Sequence, residues 1–205
     1  MVDGDVRPHD LLWIAEGSKL RPESQPAWVR EALNGMPVVV VRRAEAPPGF
    51  AAVGIRGGSR ELRFAALVKL TDVRSLRTPE SLASERRWHK NPAGISVALQ
   101  DVLTAFDELS CREKFVWGPV GGVGYQLATG LPVTTDKSDI DVLIRCEVPP
   151  HPLMISSIRY IAKQGTAHLD VTVEGPPGAV SLEELHSRNV LLKTSRGPRI
   201  AAFTW

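Results

Sequence analysis

The sequence predicts an α+β protein with two domains: a small α+β domain over residues 1–85, and a domain with a mixed sheet flanked by helices over residues 86–205. Segments with strand patterns occur in both halves, and segments with helical spacing of apolar residues lie between them. The 17 glycines and 16 prolines are scattered, as expected for many short elements joined by turns. A length of 205 residues accommodates two such domains.

The first domain is predicted to combine a helix with several strands. A short helix is expected to end near Gly35, and the run of valines after it is typical of a strand. The predicted elements are a helix over 27–34 and strands over 37–43, 50–56 and 61–69.

A charged, proline-punctuated stretch over 71–92 is predicted to connect the two domains. It contains a basic cluster over 86–90, which is a candidate phosphate site. A solvated linker is the favoured interpretation of that cluster.

The second domain has clearer periodicity. Apolar residues recur at helical spacing from Ile95 to Leu109, and apolar residues alternate with polar ones from His168 to Glu174. Its predicted elements are a helix over 94–110, a strand from 114, a glycine-rich turn over 118–124, a short helix over 125–129, a strand over 138–146, a helix around 154–161, a strand over 168–174, a short helix after Ser181, and a hairpin of strands over 190–194 and 199–203.

Composition excludes several classes of protein. A formal net charge of +2 does not fit the broad cationic surface of a nucleic-acid coat protein. Two cysteines, Cys111 and Cys146, are too few for a disulfide framework or a zinc cluster. Without a signal-peptide pattern or a long apolar run, the chain is expected to be a cytoplasmic protein that does not enter a membrane.

Two aspartates on one strand carry the first chemical signal. Asp139 and Asp141 are separated by one residue, so on a strand they point to the same side with about 6.6 Å between their Cα atoms. Paired carboxylates in this arrangement suit a hard divalent cation such as Mg²⁺. On its own, however, an Asp-x-Asp pattern also fits a charged strand rim.

Two further features strengthen that signal. Asp170 lies on the polar face of a later strand, and it completes a three-carboxylate cluster if the two strands pair. The glycine turn over 118–124 offers backbone N–H groups and a helix N-terminus to an anion. Metal-binding acids beside a phosphate cradle are the working parts of phosphoryl and nucleotidyl transfer.

Competing motifs fail on spacing. The pair Gly122 and Gly124 lacks the third glycine of a dinucleotide fingerprint, and no Gly-Lys-Ser/Thr sequence closes a P-loop. Leu143 stands where a calcium-binding loop needs Asp or Asn. The order of strand, glycine turn, helix, Asp-x-Asp strand and third acidic strand therefore favours an enzyme of phosphoryl or nucleotidyl transfer.

This arrangement resembles the nucleotidyltransferase superfamily, and within it the phosphoribosyl-dephospho-CoA transferases, the holo-acyl-carrier-protein synthases of malonate decarboxylase. The resemblance is most specific over 117–130 and 138–145, and it extends to 7–13, 169–171 and 190–193. One departure is Gly122, where the superfamily pattern has serine. The hydroxyl contact to phosphate is therefore missing there, although backbone N–H donors remain.

The resemblance implies a reaction and a set of partners. The donor would be 2′-(5″-triphosphoribosyl)-3′-dephospho-CoA, and the acceptor a serine on the apo acyl carrier subunit of malonate decarboxylase. Pyrophosphate would leave, with Mg²⁺ as the cofactor. The first domain could dock the carrier protein or the CoA arm, and its mildly basic character would suit an acidic partner.

The expected site follows from these motifs. Asp139 and Asp141 are expected to hold Mg²⁺, and Asp170 to hold a second ion or to accept the proton of the attacking serine. Gly121 and Gly122 are expected to donate N–H groups to the phosphates, and Lys193 is a further candidate phosphate contact.

Each of these residues also has a plainer interpretation. Asp170 fits a surface position on an alternating strand, and a solvated strand-edge lysine is the favoured interpretation of Lys193. Arg145 and Lys137 are expected only to balance the acids. A structural role is favoured for His9 and Asp10 over an acid–base pair. Metal ligation by His168 is disfavoured, and Trp13 and Trp28 are expected to pack in the first domain.

Two other functions compete with the transferase. One is another minimal nucleotidyltransferase that uses ATP on a protein or a small molecule. The other is a non-catalytic adaptor that binds the donor or the carrier, which the intact Asp139 and Asp141 disfavour.

Overall fold

The computed structural model describes residues 6–59, 61–90 and 94–202. The chain forms two compact units. The N-terminal unit comprises Met1–Thr78 with Ser195–Gly197, and the C-terminal unit comprises Pro79–Thr194 with Pro198–Trp205. The first division falls after Thr78, whereas the sequence placed the domain boundary after residue 85.

The N-terminal unit contains a five-stranded antiparallel sheet in the order β4-β3-β2-β1-β5. Leu12, Val39 and Val53 lie on one face of this sheet and are fully buried together with Val29 of the helix. The predicted helix and three predicted strands are therefore confirmed. The elements are β1 (Leu11–Ile14), α1 (Ala27–Gly35), β2 (Val38–Val41), β3 (Phe50–Arg56), β4 (Arg63–Lys69) and β5 (Val73–Arg77).

The prediction of a solvated linker over 71–92 is wrong for the part that is described; residues 91–92 lie outside the described residues. Strand β5 pairs with β1, and its charged residues are compatible with an edge strand, where one side faces solvent. Two short helices follow, and Trp88 in the second is fully buried. The guanidinium of Arg86 pairs with Asp107, and Nε of Arg87 donates to the carbonyl of Leu127. Two cations of the basic cluster, Arg86 and Arg87, are therefore tied to the fold.

The C-terminal unit is built on a mixed six-stranded sheet in the order β11-β10-β9-β8-β7-β6. Strands β7 and β8 are parallel, and β6–β7, β8–β9 and β9–β10 are antiparallel pairs. The elements of the unit and its sheet are α2 (Pro79–Ser84), α3 (Arg87–Lys90), α4 (Val97–Glu113), β6 (Val116–Pro119), α5 (Gly121–Thr129), β7 (Ile140–Arg145), α6 (Pro152–Gln164), β8 (Leu169–Gly175), β9 (Gly178–Ser181), β10 (Val190–Thr194) and β11 (Gly197–Ala201).

Close backbone packing explains why the C-terminal unit begins before residue 86. A Cβ atom at Gly118 would lie 2.0 Å from the carbonyl carbon of Pro79, so the start of α2 lies directly against β6. Glycine is the residue that permits such an approach between two backbones. Residues that look like a linker in the sequence thus cover an edge strand of the second sheet.

The core of the C-terminal unit lies on one face of β7 and β8. Ile140, Val142 and Ile144 are at most 1% exposed, and they share a core cluster with residues of α4 and α6. Because side chains alternate along a strand, the residues between them lie on the opposite face. The mixed sheet flanked by helices is therefore confirmed, and its hydrophobic side fixes which face carries the aspartates.

Two details differ from prediction. Helix α5 begins at Gly121, so most of the predicted turn over 118–124 belongs to β6 and α5. The short helix after Ser181 is a single 3-10 turn, Leu182–Glu184. The end of the predicted hairpin, Phe203, lies outside the described residues. No helix within the described ranges is both long and apolar enough to cross a membrane.

Candidate active site

The parallel pairing of β7 and β8 places two predicted site residues side by side. Asp141 is the register partner of Asp170, with Ile140 opposite Leu169 and Val142 opposite Val171. Register partners on neighbouring strands point to the same face of a sheet. The two carboxylates therefore share the face opposite the core, as the sequence predicted for the case in which these strands pair.

Asp139 lies in the next row, just before β7 begins. Its Oδ1 is 3.7 Å from Nδ1 of His168, and their side chains are 53% and 74% exposed. The backbone N–H of Ile140 donates to the carbonyl of His168 at 2.8 Å, which extends the ladder to this row. The result is two rows of polar side chains at the start of β7 and β8, Asp139 with His168 and Asp141 with Asp170.

The N-terminus of α5 meets the carboxylate of Asp141. Gly121, the first residue of α5, has a φ of +61°, and a Cβ atom on it would lie 2.0 Å from Oδ2 of Asp141. The backbone N–H of Val120 donates to the carbonyl oxygen of Asp141 at 2.9 Å. The helix N-terminus carries partial positive charge, so its position beside a carboxylate is electrostatically favourable.

Gly122 and Gly124 also lie in tight places. A Cβ atom at Gly122 would be 3.3 Å from Cγ2 of Thr134, and one at Gly124 would be 2.5 Å from the carbonyl oxygen of Pro119. Close packing around the start of the helix therefore leaves no room for a side chain at Gly124, whereas one at Gly122 would need a small shift of Thr134. Gly121 and Gly122 lie in the first turn of α5, where backbone N–H groups lack partners within the helix.

The acids differ in how they fit a divalent cation. The described ranges contain no group of three or more His, Cys, Asp or Glu side chains that could hold a metal ion. The three predicted carboxylates therefore do not form a closed cage in this structure. The neighbouring pair Asp141 and Asp170 still fits Mg²⁺, which proteins usually bind through one or two carboxylates together with substrate phosphates and water.

Arg145 has a different role from the predicted one of balancing Asp139 and Asp141. Its side chain is 11% exposed, and its guanidinium pairs with Glu80 of α2 and with Glu174 of β8, the latter at 2.7 Å. Burial alone would lower the pKa of Arg145, but hydrogen bonds and ion pairs with both glutamates outweigh it and raise that pKa. Arg145 therefore fastens α2 and β8 to the end of β7 away from the aspartates.

Lys193 is not brought to the acids. It is the register partner of Ala179, Ala179 pairs with Glu174, and Glu174 pairs with Arg145. This row lies four residues along β7 from Asp141, and β10 is three strand spacings, about 14 Å, away from β7. Lys193 therefore lies outside the candidate site.

Sequence reasoning missed Gln126. Its side chain is 1% exposed on α5, and its Oε1 accepts hydrogen bonds from the loop that leads to Asp139. The signal available was a lone amide within the apolar run 123–128. The role of such a residue can be recognised only when its hydrogen-bond partners are known.

Comparisons with known proteins agree over both halves of the chain. The family model described as the phosphoribosyl-dephospho-CoA transferase MdcG N-terminal domain matches residues 7–79, and that of the MdcG C-terminal domain matches residues 81–203. A phosphoribosyl-dephospho-CoA transferase of Pseudomonas putida (strain GB-1) is 40% identical over 203 residues, which cover 97% of this chain and 95% of that protein.

Other proteins of the same name are also similar to this chain. The Azotobacter vinelandii protein is 37% identical, covering 97% of this chain and 94% of its own length, and that of Klebsiella pneumoniae (strain 342) is 36% identical, covering 97% and 96%. No solved structure matches the chain significantly. Since family models account for both units and relatives align over nearly the full length, this chain belongs to the phosphoribosyl-dephospho-CoA transferase family of enzymes.

Proposed function

We propose that the enzyme transfers the phosphoribosyl-dephospho-CoA group from 2′-(5″-triphosphoribosyl)-3′-dephospho-CoA to a serine of the apo acyl carrier subunit of malonate decarboxylase. The names of its relatives and of the matching family models support phosphoribosyl-dephospho-CoA as the transferred group. The observation that carries the chemistry is the pairing of Asp141 with Asp170 beside the N-terminus of α5.

In the proposed reaction, the serine Oγ forms a bond to the α-phosphorus of the triphosphate. The bond from that phosphorus to the oxygen bridging to the β-phosphate breaks, and pyrophosphate departs with the electron pair. The serine proton passes to an acceptor. Asp170 is exposed and lies beside Asp141, so its carboxylate is suited to receive that proton or to bind a cation.

Asp139, Asp141 and Asp170 are the proposed ligands for Mg²⁺, with Asp141 and Asp170 as the central pair. When bound, Mg²⁺ neutralises the phosphate oxygens and the charge that develops on pyrophosphate. The N–H groups of Gly121 and Gly122 are proposed to bind the phosphates, since they lie in the first turn of α5. The missing serine hydroxyl at position 122 leaves this task to the backbone.

The N-terminal unit is proposed to bind the CoA arm of the donor. It contains an open cleft of about 490 Å³, lined by apolar residues that include Leu20 and Leu33 and by polar residues that include Gln25, Arg30 and Asn34. A cleft of this size and mixed lining is suited to a small-molecule segment, whereas a carrier protein is bound by a broader surface.

The test is intact-mass analysis of the apo carrier subunit after incubation with donor, Mg²⁺ and enzyme. Asp141→Asn and Asp170→Asn should each lower the transfer rate by about 100-fold or more, because charge stabilisation at the reacting phosphate is lost. Asp101→Asn, at an exposed position of α4, is the matched control and should transfer normally.

Three results would contradict this function. Parent-like transfer by well-folded Asp141→Asn would remove the proposed site. Modification of a protein with ATP but not with the triphosphoribosyl donor would favour another nucleotidyltransferase. Tight binding of donor or carrier without any mass increase would favour an adaptor.

A further inference from the structure

Gln126 joins α5 to the loop over 130–139 through one side-chain oxygen. Its Oε1 accepts hydrogen bonds from the backbone N–H of Val133 at 2.8 Å, the backbone N–H of Thr134 at 2.7 Å and the hydroxyl of Thr134 at 2.8 Å. The Gln126 side chain is 1% exposed, so these bonds are shielded from water. Hydrogen bonds in such surroundings are costly to leave unmade.

The anchored segment leads directly into the site. A second hydrogen-bonded turn follows Thr134, in which the N–H of Thr135 donates to Oγ of Ser138 at 2.9 Å and the N–H of Ser138 donates to the carbonyl of Thr135 at 3.0 Å. Asp139 is the next residue. The path from Gln126 to Asp139 is therefore held by a continuous set of hydrogen bonds.

The same anchor defines the surroundings of Gly122. Cγ2 of Thr134 would lie 3.3 Å from a Cβ atom at Gly122, so the fixed threonine closes one side of the first turn of α5. This methyl group occupies the space into which a side chain at position 122 would extend. The hydrogen bonds from Val133 and Thr134 to Gln126 thus lie between the proposed metal ligand Asp139 and the proposed phosphate-binding turn at Gly122.

We propose that Gln126 is a positioning residue, which sets the placement of Asp139 and of the wall beside Gly122 by holding Val133 and Thr134. This inference rests on the proposed function, since it assigns a purpose to the geometry around Asp139. A glutamine suits the position because its amide oxygen accepts several hydrogen bonds without a buried charge. A hydrocarbon side chain of similar size would leave the loop donors without this acceptor.

The experiment compares Gln126→Leu with Gln100→Leu. Gln100 lies on α4 of the same unit and donates through Nε2 to the carbonyl of Ile95 at 3.0 Å, so the control removes an amide hydrogen bond away from the site. The first readout is the rate at which trypsin cleaves after the exposed Lys137, measured without Mg²⁺ from the masses of the fragments. The second is the kcat of transfer together with the Mg²⁺ concentration that gives half-maximal activity. The first does not depend on activity.

Gln126→Leu should be cleaved after Lys137 about 10-fold faster than the parent, because the loop opens more often. Its kcat should fall, or its half-saturating Mg²⁺ concentration rise, by about 10-fold to 100-fold, as for residues that orient metal ligands. Gln100→Leu should change neither. Thr134→Val should show both effects more weakly. Thr134→Ser, which keeps the hydroxyl that bonds to Gln126, should be cleaved at the parent rate.

Cleavage of Gln126→Leu at the parent rate would contradict the claim that Gln126 holds the loop in place. Faster cleavage with unchanged kcat and Mg²⁺ dependence would overturn its role in positioning. If Gln126→Leu does not fold, Thr134→Val decides by the same criteria. Faster cleavage of Gln126→Leu together with normal transfer by Asp141→Asn would instead overturn the proposed function and leave the loop anchor standing.

Discussion

Gly121 and Asp141 are in such close contact that no side chain fits between them: a Cβ atom on the glycine would lie 2.0 Å from the carboxylate oxygen Oδ2. The glycine also has a φ of +61°, a conformation that other residues adopt at a cost of about 1–2 kcal/mol. Backbone conformation and site geometry therefore impose the same requirement at this position.

Gly121→Ala should lose both unfolding free energy and transfer activity. The control is Gly130→Ala at the other end of α5, where φ is +78° but no atom lies within 4 Å of the added Cβ. Urea denaturation should show a loss of about 1 kcal/mol for Gly130→Ala, which is the cost of the backbone conformation. Gly121→Ala should lose about 1–3 kcal/mol more, because the added methyl group overpacks the carboxylate. Equal losses in the two variants would contradict the contact.

Arg145→Met should destabilise the C-terminal unit by about 3–5 kcal/mol, since two largely buried carboxylates, on Glu80 and Glu174, would lose their shared cation. Arg159→Met removes a more exposed pair with Glu183 and should cost less than about 1 kcal/mol. Adding Glu80→Gln and Glu174→Gln to Arg145→Met should restore most of the loss, as measured by denaturant unfolding. No restoration would mean that packing, rather than charge, explains the effect.

The two cysteines should differ in reactivity with a thiol reagent. Burial raises the pKa of Cys146 to about 11, so at pH 8 almost none of it is the reactive thiolate. Cys111 is exposed and should react first. In Cys111→Ser, labelling should be slow at pH 8 and should accelerate as pH rises towards 11, measured by mass spectrometry of the folded protein. Rapid labelling of Cys146 at pH 8 would contradict its burial.

Asn34→Trp should raise the KM for the donor by about 10-fold with little change in kcat, because a bulky side chain in the lining of the N-terminal cleft removes binding made equally in ground state and transition state. Glu31→Trp, at an exposed position of the same helix outside the cleft lining, is the control. Initial-rate kinetics with varied donor separate the two constants. If both variants keep the parent KM, the CoA arm does not bind in this cleft.

Much of the fold was predictable because its signals are local. The alternation around Val171 and the helical spacing from Ile95 to Leu109 each indicate an element without knowledge of its neighbours. The segment 71–90 was mispredicted because its charged side chains conceal an edge strand and two short helices whose packing depends on Gly118 and other distant residues.

Knowledge of the site divides in the same way. Asp139, Asp141 and Asp170 could be selected from residue type and strand pattern, but the register that sets Asp141 opposite Asp170 follows from tertiary pairing. Lys193 fitted the chemistry and failed on strand order, which residue spacing does not specify. Gln126 carries no motif, so its hydrogen bonds to the loop could be found only from coordinates.

Because side chains alternate along β7 and β8, the same strand register determines both the packing of the core and the position of Asp141 beside Asp170. A slip of one residue in this pairing would turn Asp170 towards the hydrophobic interior and expose Leu169 or Val171 in its place. Substitutions that preserve a well-packed interior therefore also preserve the register that sets Asp141 beside Asp170, and a change of that register should be accompanied by a loss of folding stability.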